Sequence, residues 1–121
     1  MKEKIWLSNP EEHDYDAAFD FLSLLISESK AKSIVIRLKK SKPILRKAKD
    51  ILRASDLPLL PKDNVHVKED LSKVKHDKKL SPILLVRAER LIIADGYHRV
   101  CAIYYLSEDT EVPCRLVDIM Q

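Results

Sequence analysis

Apolar residues recur along this chain with two periods, and the changes between them mark out the elements. Tyr15, Ala18, Phe19, Leu22, Leu25 and Ile26 fall at the three- and four-residue spacing of one helix face. Ahead of them, Asn9-Pro10-Glu11-Glu12 reads as a helix start, with a capping Asn, Pro at the first helical position and Glu three residues after the cap. A helix is predicted over 11–26. Ala31, Ile34, Val35 and Leu38 repeat the spacing, with Arg37 and lysines between them, and predict a second helix. The β-branched run Ile34-Val35-Ile36 makes a strand the competing reading. Pro43 ends that segment. Ile44 to Ala48 reads as a short strand, followed by one helical turn through Ile51 and Leu52.

Leu57-Pro58-Leu59-Leu60-Pro61 is a loop whose apolar residues pin it to the body. Asp63-Asn64 caps a helix over 64–76 with a narrow stripe of Val67, Leu71 and Val74. The period then shortens to two. Pro82 to Arg87 is a strand, Ala88-Glu89-Arg90 a turn, and Leu91 to Ala94 a second strand. Asp95-Gly96 breaks the pattern, and Tyr97 to Leu106 returns to helical spacing through Val100, Ile103 and Tyr104. Val112 to Val117 is a last strand, which Pro113 places at a sheet edge or near its own beginning. The expectation is an α/β chain with a small mixed sheet. A helical extension over 1–42 docks through its apolar faces onto a domain of residues 43–121.

Composition narrows the class. A chain of 121 residues, 45% apolar and 34% charged, has the make-up of a single soluble globular domain. No apolar run is long enough to span a membrane, and no extended apolar segment follows Met1-Lys2-Glu3-Lys4-Ile5, so neither a membrane anchor nor a secretory signal is expected. Two cysteines, Cys101 and Cys114, make no disulfide framework and suit a cytoplasmic setting. They are expected to be small core residues, as His98, Cys101 and Cys114 offer three zinc ligands where a structural site needs four. Trp6, Phe19 and Phe21 are expected to be buried by the N-terminal extension. The net charge of +3 is small, but residues 30–53 carry ten Lys or Arg against one Asp. Such a band either faces a phosphate-bearing partner or lies on solvated helix faces.

The chain has one glycine, Gly96. That excludes the dinucleotide and P-loop fingerprints, which need at least two. Gly96 stands where a strand hands over to a helix, and a helix start presents free N–H groups and the positive end of the macrodipole. His98 and Arg99 sit in the first turn, where a basic residue is unfavourable unless an anion joins it. Asp95 either caps the helix or holds a divalent cation such as Mg²⁺ against a phosphate. The plainer reading is Asp95 as a cap, Gly96 as a tight turn and Arg99 paired with a carboxylate. The two differ in what Arg99→Ala does without ligand: little in the first case, a loss of stability in the second.

From about Ile44 to Val117 the order of elements resembles the domain shared by ParB partition proteins and sulfiredoxins, the ParB-like nuclease fold. The residues that carry the likeness are Ser81-Pro82-Ile83-Leu84-Leu85-Val86, then Ile93-Ala94-Asp95-Gly96-Tyr97-His98-Arg99-Val100-Cys101-Ala102, then Val112-Pro113-Cys114-Arg115-Leu116-Val117. Sulfiredoxins hold ATP phosphates on a Gly-Cys-His-Arg turn whose cysteine activates a sulfinic acid. Tyr97 stands at that cysteine's position, so the repair chemistry is not expected. ParB proteins hold CTP on Gly-Glu-Arg-Arg, of which only Gly96 and Arg99 are shared. The Asp-Gly-His-His-Arg of ADP-dependent kinases of free serine is similar and again departs at Tyr97.

What the resemblance implies is a nucleotide (ATP, ADP or CTP) with Mg²⁺ on this turn. Gly96, Tyr97, His98 and Arg99 would bind its phosphates, helped by His66 and Lys73 from the helix before the hairpin. Asp95 and His98 are then the candidate catalytic groups of a small phosphotransferase or nucleotide hydrolase, with Asp95 also the candidate Mg²⁺ ligand. Two alternatives stand beside it: a DNA-associated module using the basic band, and a non-catalytic protein-interaction domain that keeps the fold without the chemistry.

Overall fold

In the computed structural model, which describes residues 5–120, the period-two segments pair into one mixed sheet. Its strands are β1 (Ile44–Lys47), β2 (Ile83–Arg87), β3 (Leu91–Asp95) and β4 (Glu111–Asp118), in the spatial order β1-β4-β2-β3. β2 and β3 form an antiparallel hairpin, β4 runs parallel to β2, and β1 pairs antiparallel with β4. The helices are α1 (Glu12–Leu22), α2 (Glu28–Lys40), α3 (Ala48–Ser55), α4 (Val65–Lys75) and α5 (Tyr97–Leu106). The chain is therefore a mixed α+β fold, with α5 in the crossover that a parallel β2–β4 step requires.

Side-chain alternation along β2 divides the core in two. Ile83 and Leu85 join Ala48, Ile51, Val67, Val100, Ile103 and Cys114 under α3, α4 and α5. Leu84 and Val86 face the other way, with Ala94, onto Tyr15, Ala18, Leu22, Ile34 and Leu38 of α1 and α2. Covered on both faces, β2 needs the unbroken apolar run Ile83–Val86 that it has. Each such side chain withdrawn from water is worth roughly 1.5–3 kcal/mol. The N-terminal helices thus form one whole layer of the sheet's packing.

Several boundaries differ from the periodicity. The helix expected over 11–26 stops at Leu22, because the Ser23 hydroxyl turns back to the Phe19 carbonyl at 2.7 Å and Ser27 caps the next helix. Leu25, counted on the helix face, is 54% exposed as a result. Asn9 does not cap α1, which Glu11 precedes directly; its Oδ1 instead accepts from Arg115 Nη2 at 2.7 Å. The single turn expected near Ile51 is a full eight-residue helix that already includes Ala48 and ends at Asp56, with φ 57°. Residues 34–36 are helical, not extended. β4 is an interior strand; Pro113 is tolerated because the parallel ladder to β2 begins only at Cys114. Trp6 is buried and Phe19 half-buried, but Phe21 is 43% exposed on the far side of α1.

Both cysteines lie in the core beneath α3 and α5. Burial raises the Cys101 thiol and pushes Cys114 up to about 12. The thiolate is the nucleophile, so neither should react with a disulfide reagent at pH 8 until the protein unfolds. Stoichiometric labelling of the native protein within minutes would contradict that.

Candidate functional site

β3 ends at Asp95 and α5 begins at Tyr97, so Gly96 alone makes the link. Its φ of 111° is one that L side chains rarely adopt, and a Cβ there would lie 2.5 Å from Ile83 Cδ1 and 2.9 Å from Arg99 Nη2. Gly96 is the N-cap residue of α5 and no side chain caps the helix. Asp95 is thus the last strand residue, not the cap. The Gly96 carbonyl accepts from Val100 N at 3.0 Å, while the first-turn N–H groups have no intrahelical acceptor.

Arg99 does not point outward. Its Nη2 donates to Asp95 Oδ2 at 2.8 Å, and its Nη1 lies 3.6 Å from Asp14 Oδ1. The guanidinium side chain is 17% exposed and that of Asp14 2%. Asp14 comes from α1, where its Oδ2 accepts from Glu11 N at 2.8 Å. The N-terminal layer therefore reaches into the turn and holds its arginine. Burial pushes the Asp95 carboxyl above the usual range and Asp14 adds to this, against the pull of Arg99.

On the other side of α5, the His98 ring meets the His66 ring of α4, with centroids 4.8 Å apart. Burial, then the neighbouring His66, lowers the proton affinity of His98, while Asp70 opposes. Asp70, buried on α4, is 4.0 Å from Lys73 Nζ. Burial raises its carboxyl despite Arg99, Lys73 and His98. A carboxyl raised in the folded state contributes stability that is present below its unfolded value of 3.8 and lost as pH rises through the folded value. Asp70→Asn should therefore raise the melting temperature at pH 7 and lose that advantage below pH 3.8. A melting temperature at pH 7 lower than that of the unsubstituted protein would reverse the sign of this argument.

The candidates named from sequence thus gather where α4 meets the start of α5, with altered duties. His66 Nδ1 lies 3.3 Å from Glu69 and its ring meets His98; Lys73 leans toward Asp70. The Tyr97 hydroxyl donates to the Pro58 carbonyl at 2.6 Å, and Tyr105 does the same to Leu60, so these two tyrosines tie down the 57–61 loop. Asp95 is committed to Arg99, so Mg²⁺ there would have to displace a charged hydrogen bond. Among the described residues, the cluster with ligand atoms close enough for one ion is Glu11, His13 and Asp14. Its carboxylates are already held by Ser81 and by Glu11 N.

Asp14 and Asp70 were missed in the sequence. Asp14 sits one residue before Tyr15 in a polar stretch, and only an acidic residue beside the core stripe could have hinted at it. Asp70 next to Leu71 gives the same faint signal. Comparison with protein-family models, with curated proteins and with solved structures yields no match to this chain.

Proposed function

We propose that the start of α5 binds a phosphate group, that of a nucleotide in the manner of a ParB/sulfiredoxin-like domain. The observation that carries this reading is the meeting of two features at one place. Gly96 leaves the first turn of α5 without a side-chain cap, and the His98 ring of that turn meets the His66 ring of α4 with centroids 4.8 Å apart. A phosphate would accept from the turn's amides and from both imidazoles. Arg99 is then a positioning residue, which fixes the turn through Asp95 and Asp14, and not the phosphate fork. A phosphotransferase or hydrolase would draw on His98, which lies in the first turn of α5.

The test is a thermal-shift series with sulfate, ADP, ATP and CTP, with and without Mg²⁺, at pH 6 and pH 8. A ligand that binds only the native state raises the melting temperature with its concentration. Because burial lowers the proton affinity of His98 and a bound anion raises it, binding should strengthen as pH falls. Sulfate, whose charge is constant over that range, isolates the imidazole contribution. His98→Ala should remove most of the shift. No shift at millimolar ligand, or an equal shift in His98→Ala, would overturn the reading.

The DNA-associated alternative draws less support. Lys39 pairs with Glu12, Lys47 and Lys49 with Asp109, and Arg53 with Asp50, so four of the ten basic residues of the band are engaged by three of the chain's own carboxylates.

A further inference from the structure

The end of the sheet away from Gly96 carries arginine where the core pattern calls for an apolar residue. Arg46 stands two residues after Ile44, and Arg87 two after Leu85, so both share the face that α3 and α5 cover. Arginine in phase with a core is tolerated only where the covering layer stops. Here it stops beside α3, and a cleft of about 490 Å³ opens. Leu85, Leu91 and Leu116 line it with Ile51 of α3, and Arg46, Arg87 and Arg90 border it. That volume lies within the ~300–1,000 Å³ of small-molecule sites, and an apolar lining with a few charged groups is their usual make-up. In the hairpin register Arg87 pairs with Leu91 at this end and Leu84 with Asp95 at the other, so the cleft is separate from the α5 turn.

The charges around it are unevenly matched. Arg87 is 2.6 Å from Asp118 and Arg90 is 3.3 Å from Asp56, while Asp50 of the cleft lies 3.7 Å from Arg53. Arg46 donates only to the carbonyl of its neighbour Leu45, and among the described residues no carboxylate lies within ion-pair distance of it. With Arg87 and Arg90 each held by a carboxylate, Arg46 is the arginine of the lining that has none within ion-pair distance among the described residues. The geometry points to a site for a small amphipathic carboxylate, whose apolar body covers Leu85, Leu91 and Leu116 while its single charge meets Arg46. An inorganic phosphate would leave the apolar floor of Leu85, Leu91 and Leu116 wet.

The test follows backbone amide shifts of the full chain by NMR, with 2-naphthoate as probe, 2-naphthamide as its uncharged counterpart, and inorganic phosphate. Naphthoate should shift residues of the 85–91 segment and Leu116 saturably, without moving Gly96 or His98. Naphthamide, and naphthoate with Arg46→Gln, should bind about tenfold more weakly or worse, the usual worth of one charged hydrogen bond. Ala54→Trp, at the exposed rim, should close the cleft and abolish the shifts. The proposal is overturned if naphthoate produces no saturable shift there, if the amide or Arg46→Gln binds as well, or if phosphate competes equally for the cleft.

Discussion

Arg99→Ala is expected to lower the stability of the ligand-free protein by about 3–5 kcal/mol, the usual cost of removing one partner from a buried charge cluster. The guanidinium lies between Asp95 and Asp14, at 2.8 Å and 3.6 Å, with the Asp14 side chain 2% exposed. Alanine leaves two carboxylates facing each other in a medium that screens them poorly. A smaller effect runs the other way: a positive charge leaves the N-terminus of α5, worth about 0.3–1 kcal/mol. Sequence alone cannot choose between these terms, because the carboxylate that decides the matter is Asp14, far away in the chain. Denaturant unfolding at pH 7 measures the loss. It should shrink at low pH, where the carboxyls take up protons, and Asp14→Asn in the same chain should recover part of it. Arg99→Ala with an unchanged midpoint would mean that the two acids do not depend on this arginine.

What was legible in the sequence was whatever a local pattern controls. Ile83–Val86 and Leu91–Ala94 read as a hairpin because their apolar runs are short, β-branched and separated by polar Glu89-Arg90. The start of α5 was legible because Gly96 is the chain's only glycine. Helix α4 could be placed from Asn64, whose Oδ1 accepts from His66 and Val67 N. Other features depend on partners distant in sequence, and no window along the chain contains them. Asn9 resembles a cap yet accepts from Arg115, 106 residues away. The candidate site divides the same way. That the helix before the hairpin brings His66 toward the turn was implied by the family likeness, and its ring meets His98; a carboxylate partner for Arg99 was the plainer reading of the sequence, and Asp95 supplies it four residues away. The reach of Asp14 from α1 to Arg99 and of the Tyr97 hydroxyl to the 57–61 loop was not legible.

Gly96→Ala should cost about as much as the loss of Arg99, for two reasons that can be measured apart. The backbone holds φ 111°, and an L side chain in a left-handed conformation costs roughly 1–2 kcal/mol. The new Cβ would also stand 2.5 Å from Ile83 Cδ1 and 3.2 Å from Ile83 Cγ2, and Ile83 is fully buried at the head of β2 with no room to retreat. Overpacking of this kind typically costs about 1–3 kcal/mol. The remaining neighbour, Arg99 Nη2 at 2.9 Å, can give way only by loosening its bond to Asp95. Ile83→Val removes Cδ1 and by itself should cost about 0.5–1.5 kcal/mol. Combined with Gly96→Ala it should cost less than the two changes added, with a coupling of about 1 kcal/mol or more, while the backbone cost stays in both alanine proteins. Urea unfolding of the four proteins closes the cycle. Additive costs would show that Ile83 is not what alanine meets, and a Gly96→Ala protein as stable as its parent would show that this turn does not need its glycine.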